Sequence, residues 1–314
     1  EVLSQMRVMN VGALDDVACF EETGDLMCLW AKSDALLFDP GHGQRFMIPG
    51  LRKRTSIFIR TLLAHHNAKE ELGAALTLFD VLRSKAASLF ASVPSVEEVM
   101  DQASLAAIVR LVLKCSTMSL TMGPSISEVE RVVGLGKLQK TGVITAREVR
   151  IFTTLAGRVA APSLPAPKQW LDSVLRRLEF LIAPQMEQVA EFEQAVRGAE
   201  AAADLLTRSV GMSSFLPARA LALGSCVLGF IIMGALSAEQ ARPKEVSSSL
   251  WDSVLVLWQS GHAKFSPSTL GVDLDSLAVA SCCSPSDLQV WAFRSAQGFH
   301  DTIQQGLRNA GNTR

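Results

Sequence analysis

A run of eighteen residues without a single charge, ALALGSCVLGFIIMGALS (220–237), constrains this chain more than any other feature. Wound as a helix it is about 27 Å long, close to what a bilayer core requires. Two structures hide such a segment. It is either the central helix of a large core, buried all round, or a membrane span. Gly224, Gly229 and Gly234, with Ser225, suit close helix packing in either setting. The flanks do not orient a span, because Arg219 stands alone on one side while Glu239, Arg242, Lys244 and Glu245 mix signs on the other. Both readings stay open on the sequence.

The segments around it read with helical period. In 71–93, Leu72, Leu76, Phe79, Leu82, Ala86 and Leu89 recur on one side, and 96–115 and 168–210 behave alike. No run alternates as a strand, and no Asn-Gly or Asp-Gly hairpin turn occurs. The fold class expected is all-α. With 48% hydrophobic residues, 19% charged and no Tyr, the core is built from Leu, Val and Ala. Globular proteins average about 25% charged. A mean hydropathy of +0.25 implies surface covered by a partner protein or a membrane.

The Pro-rich piece APSLPAPK (161–168) is the expected linker between an N-terminal helical domain, 1–160, and a C-terminal repeat-like domain, 169–314. Pro94, Pro124, Pro184, Pro217 and Pro285 each precede an apolar helical segment, as suits a residue lacking an N–H. Their spacings lie near multiples of roughly 30–34 residues, the length of a helix-hairpin repeat. Val99, Val129, Val189 and Val290 follow four of them at a constant offset. DSVL occurs at 172–175 and again at 252–255, each time beside a Trp. The architecture expected is an irregular α-solenoid or helical-hairpin array.

No set of residues carries chemistry. GLGKLQKTG (134–142) lacks the hydroxyl that must follow the lysine of a phosphate loop. FDPGHGQRF (38–46) reads as a turn around Pro40 and Gly41. In AHHNAKEE (64–71) the adjacent histidines point about 100° apart on a helix and do not share a metal, so the segment reads as a solvated helix end. His262 and His300 stand alone. The cysteines Cys19, Cys28, Cys115, Cys226, Cys282 and Cys283 have no zinc spacing and read as buried thiols of a reducing compartment. The expectation is a non-enzyme with no catalytic residue, metal or cofactor. The sequence begins at Glu1, which reads as a processed import substrate or a fragment.

One electrostatic feature stands out. Residues 40–68 hold Arg45, Arg52, Lys53, Arg54 and Arg60 and no acid, in a chain of net charge −1. This is a local positive field suited to phosphates, and these five are the expected RNA-binding residues. A free nucleic-acid binder is usually basic overall, so the contact belongs inside an assembly.

The motif Ser284-Pro285-x-Asp287-Leu288-x-x-Trp291-Ala292-Phe293, followed by a break at Gly298 and His300, is similar to the degenerate helical repeats of the octotricopeptide and heptatricopeptide families. These organellar proteins of algae and alveolates are often associated with RAP domains. Trp258, Gly261, His262, Ser266 and Pro267 give a second partial match, and 165–192 resembles the linker-helix rhythm of such arrays. The resemblance implies a mitochondrial or plastid helical-repeat protein. Combined with neutral charge, it implies a structural subunit of an organellar ribonucleoprotein, the mitochondrial ribosome first, packed on protein and locally on rRNA. The rival reading is an accessory subunit of a mitochondrial inner-membrane complex of the respiratory chain or ATP synthase, in membrane contact through 220–237.

Overall fold

The structure, a computed structural model, describes residues 11–37, 51–89, 102–116, 142–155, 157, 164–183, 189–209, 216–259 and 272–311. Among these the fold is all-α, with no strand. Eleven α-helices are described: α1 (Val11–Leu37), α2 (Leu51–His65), α3 (Leu72–Leu89), α4 (Gln102–Ser116), α5 (Val143–Thr154), α6 (Pro167–Ile182), α7 (Val189–Ser209), α8 (Ala218–Ile232), α9 (Ser248–Gln259), α10 (Leu274–Ser281) and α11 (Pro285–Gly311). A 3-10 turn, Lys69–Glu71, leads into α3.

The uncharged run becomes α8 and the turn after it. Every residue from Ala218 to Ile231 except Arg219 is buried. The helix stops at Ile232, and Gly234 turns the chain with φ +74°. Such a helix is too short to span. Among the described residues no helix is long and apolar enough to cross a membrane. The spanning alternative for 220–237 is thereby corrected: other helices of the same chain hide this run. Its glycines are the means. A Cβ on Gly229 would enter the backbone of Gly198 and Ala199 on α7, and one on Gly224 would meet Trp291 and Ser295 on α11.

Sequence signals at the helix starts work as physical chemistry dictates. Pro167 opens α6, and the Gln169 side chain reaches back to accept the Ala166 N–H at 2.8 Å. Asp273 caps α10 by accepting from the Ser276 N–H at 2.7 Å. Ser284 caps α11, accepting the Asp287 N–H at 3.1 Å and donating to the Asp287 carboxylate at 2.7 Å, with Pro285 in the first turn. Leu288 and Ala292 then face the core. The break expected at Gly298 and His300 does not occur. α11 runs through it as one helix of 27 residues, with Gly298 buried. Of the other Pro-led starts, Pro217 precedes α8, while Pro94, Pro124 and Pro184 lie outside the described residues.

Two hydrophobic cores form. The first joins Ile59 and Leu63 of α2, Leu76 and Phe79 of α3, Ile108 and Val112 of α4, Ile144 and Ile151 of α5, and ends at Leu164. The second gathers α6 to α11 around α8, with Trp170, Phe230, Trp251 and Leu288 buried in it. The change of core falls at the Pro-rich piece, but this is no solvated tether: Leu164 to Pro167 are buried. Met27 and Trp30 of α1 also belong to the second core, Trp30 meeting Trp170 edge-on at 5.3 Å. Grouping by sequence order, 1–160 against 169–314, therefore differs from grouping by packing. Of the forms expected, the packing is that of the irregular hairpin array. Neighbours pair as hairpins (α2–α3, α4–α5, α6–α7, α7–α8, α10–α11), and remote contacts of α1 with α6 and of α8 with α11 close the array around α8.

Candidate nucleic-acid interface

The basic segment is largely one helix. α2 buries Thr55, Ser56, Ile59, Leu62 and Leu63, a stripe recurring every three or four residues. The opposite side is left to solvent, and Arg54 and Arg60 are exposed there. Arg52, Lys53 and Arg54 fall in the first turn, which holds no acid. Three cations at the positive end of a helix dipole oppose the helix, each by about 0.3–1 kcal/mol at low ionic strength. An anion beside them removes that opposition. Lys53 and Arg60, seven positions apart, lie on one helical stripe. Arg45 lies outside the described residues.

The chain after α2 turns sharply. Asn67 adopts φ 53°, in the left-handed region that Asn tolerates, and the His66 and Ala68 N–H groups both donate to the Leu63 carbonyl at 3.0 Å. His65, Asn67, Lys69 and Glu70 are exposed, so this stretch is the solvated helix end the sequence pointed to. The turn brings Lys69 beside Arg60. α7, packed on α2, adds Arg208.

Between them lies a cleft of about 570 Å³ lined by Arg60, Thr61, Ala64, His65, Lys69, Leu72 and Arg208. No acid lines this part. It continues into a second hollow of about 440 Å³ that shares Lys69, Leu72 and Arg208 and adds Lys168, Glu70, Glu200 and Asp204. Arg208 pairs with Asp204 at 2.5 Å, on the exposed side of α7. The cleft is therefore polarised, with cations toward α2 and mixed charge toward α6 and α7. Charge at the α2 end favours anions, and Glu200 and Asp204 oppose them at the other.

Arg60 is thus joined to Lys69, Lys168 and Arg208, which lie up to 148 positions away and which nothing in their order along the chain connects. Thr61 and His65, one turn apart on α2, both line the cleft, and the Thr61 hydroxyl donates to the Ile57 carbonyl at 2.9 Å. Among the described residues no three His, Cys, Asp or Glu side chains gather as a metal site. His300 meets Asp301 at 3.5 Å, on the partly exposed side of α11. His262, the turn at 38–46 and most of 134–142 lie outside the described residues.

The cysteines depart from expectation. Only Cys226 is buried; Cys19, Cys28 and Cys115 are exposed, and Cys282 and Cys283 half-buried. Exposure does not follow from spacing along the chain. No protein-family model matches this sequence, and no curated protein matches it either.

Proposed function

We propose that this chain is a non-catalytic structural subunit of an organellar ribonucleoprotein, with the mitochondrial ribosome as the first candidate. The basic face of α2 is the part that meets rRNA. One observation carries the reading: α2 opens with three cations and no acid, and Arg60 of the same helix lines a cleft with Lys69 and Arg208, in a chain whose net charge is −1. A confined positive field in a neutral protein suits a local phosphate contact inside an assembly. The likeness of the 284–293 motif to organellar helical repeats supports the compartment. Exposed apolar side chains on α5, Val149 and Phe152, support packing on a protein neighbour. The inner-membrane alternative lost its main support when 220–237 proved to be the buried α8 and its turn.

The test is cross-linking of RNA to the chain in its native particle. Cross-linked peptides are expected within 51–69 and around Arg208. A set confined to other segments removes the reading, as does a particle without RNA. The double variant Arg54→Glu, Arg60→Glu is expected to weaken binding to structured RNA. It is also expected to flatten the dependence of log affinity on log salt, by about 0.7–0.9 for each phosphate that the variant no longer neutralises.

A further inference from the structure

The cations of the cleft beside α2 are spare. Arg60 stands on α2, Lys69 opens the 3-10 turn and Arg208 lies in the last turn of α7, and all three are exposed around the hollow of about 570 Å³. Among the described residues no ion pair is made by Arg60, Lys69 or Lys168. Arg208 shares its guanidinium with Asp204, an exposed pair of the kind that contributes little in water. A guanidinium has five N–H donors, so one carboxylate does not exhaust it. Cations gathered in one concavity repel each other, and a bound anion relieves that repulsion.

The lining decides which anion. No residue lining either hollow is aromatic, so no ring is offered for a base to stack on. Recognition therefore falls to phosphate. The first hollow continues into the second, where Glu70, Glu200 and Asp204 stand with Lys168. A strand that runs on past Arg208 meets those three carboxylates, while an anion that ends in the first hollow does not. A terminal phosphate monoester carries about −1.5 to −2 charges at pH 7 and three acceptor oxygens, against the single charge of a phosphodiester within a strand. Arg60 and Arg208 present planar donor forks to such oxygens, and Lys69 a point charge. His65 adds a ring N–H in either tautomer. Thr61 adds no donor, because its hydroxyl is given to the Ile57 carbonyl.

We propose that this cleft binds a phosphate monoester, the terminal phosphate of an RNA strand or a free phosphate ester, in preference to a phosphodiester within a strand. The inference rests on the reading of α2 as a face that meets phosphate, and it names the kind of phosphate. Arg60, Lys69 and Arg208 hold the oxygens. Glu70, Glu200 and Asp204 turn away a strand that continues.

The test measures binding of the full chain, at one fixed salt concentration, to a short RNA of one sequence made with a phosphate at its 5′ end, with a phosphate at its 3′ end, or with hydroxyls at both. At least one phosphate-ended form is expected to bind about tenfold more tightly than the hydroxyl-ended form. In the double variant Lys69→Ala, Arg208→Ala the ratio is expected to fall to about one. Both side chains are exposed, and circular dichroism checks that the helices are retained. A nucleoside monophosphate is expected to displace the phosphate-ended RNA, and the corresponding nucleoside is not. Displacement at a concentration matching the affinity of the RNA identifies a free phosphate ester as the ligand, and displacement only far above it identifies an RNA end. Equal affinity for all three RNAs overturns the inference and leaves the RNA-contact reading standing, as does a preference that survives in the double variant. A monophosphate that binds while none of the RNAs does overturns the RNA reading and leaves the inference standing.

Discussion

Cys226 shows what the centre of the molecule does to a single ionisable group. Enclosed on α8, its thiol is pushed by burial from the ordinary 9.0 up to about 12. The unfolded chain ionises this thiol above pH 9, while the folded one keeps its proton to about 12. Over that window the native state binds the extra proton and loses stability as pH rises, by about 1.4 kcal/mol per unit from this group alone. Chemical denaturation at about pH 8, 9.5 and 10.5 is expected to show a steeper alkaline decline in the wild type than in Cys226→Ala. Equal slopes would place Cys226 in contact with water. Cys28, by contrast, is exposed.

Helix contacts here depend on small residues as much as on large ones. α7 and α8 approach through Gly198, Ala199 and Gly229. Ala is a better helix former than Gly by about 1 kcal/mol, yet Gly229→Ala is expected to destabilise by about 1–3 kcal/mol, because the new methyl drives two backbones apart. Gly73→Ala on α3 is the control: its Cβ would meet Ala166 at an ordinary 3.8 Å, so stability is expected to hold or rise. Urea midpoints of the two variants decide this. The sequence signalled much at this scale. The uncharged run marked a helix that had to be hidden, by its own chain or by a membrane, without deciding which; the period of 168–210 covers α6 and α7; and Ser284-Pro285 marked the start of α11. It misled at Gly298, where a poor helix former suggested a break. That glycine is buried, and tertiary packing overrides propensity at such a site. It said nothing of Lys69, Lys168 and Arg208, because their meeting with Arg60 depends on how α7 and the start of α6 lie against α2. No local pattern encodes that.

At the scale of the molecule, two cores share one chain. All five tryptophans pack in or against the second, so their fluorescence is blind to the first. The first is held in part by Glu148 of α5, a buried carboxylate that accepts from Arg110 at 2.8 Å and Lys114 at 3.0 Å on α4. Glu148→Ala removes charge-assisted hydrogen bonds and leaves two cations facing each other, a loss of about 1.5–3 kcal/mol. This variant is expected to lose helix signal in circular dichroism at a temperature below that of the tryptophan transition. Coincident curves would mean that α2–α7 and α3–α6 contacts fuse the cores into one cooperative unit.

The docking of α1 on α6 sets a timetable for the nascent polypeptide. Trp30 leaves the translating machinery about 140 residues before Trp170, its edge-on partner. At 5–20 residues per second that delay is on the order of ten seconds. For that interval a greasy helix waits without its receptor, and the segments forming the first core emerge in between and can compact beforehand. The first described helix is thus seated only after the segments of the first core have emerged, and holdase chaperones have an opportunity there.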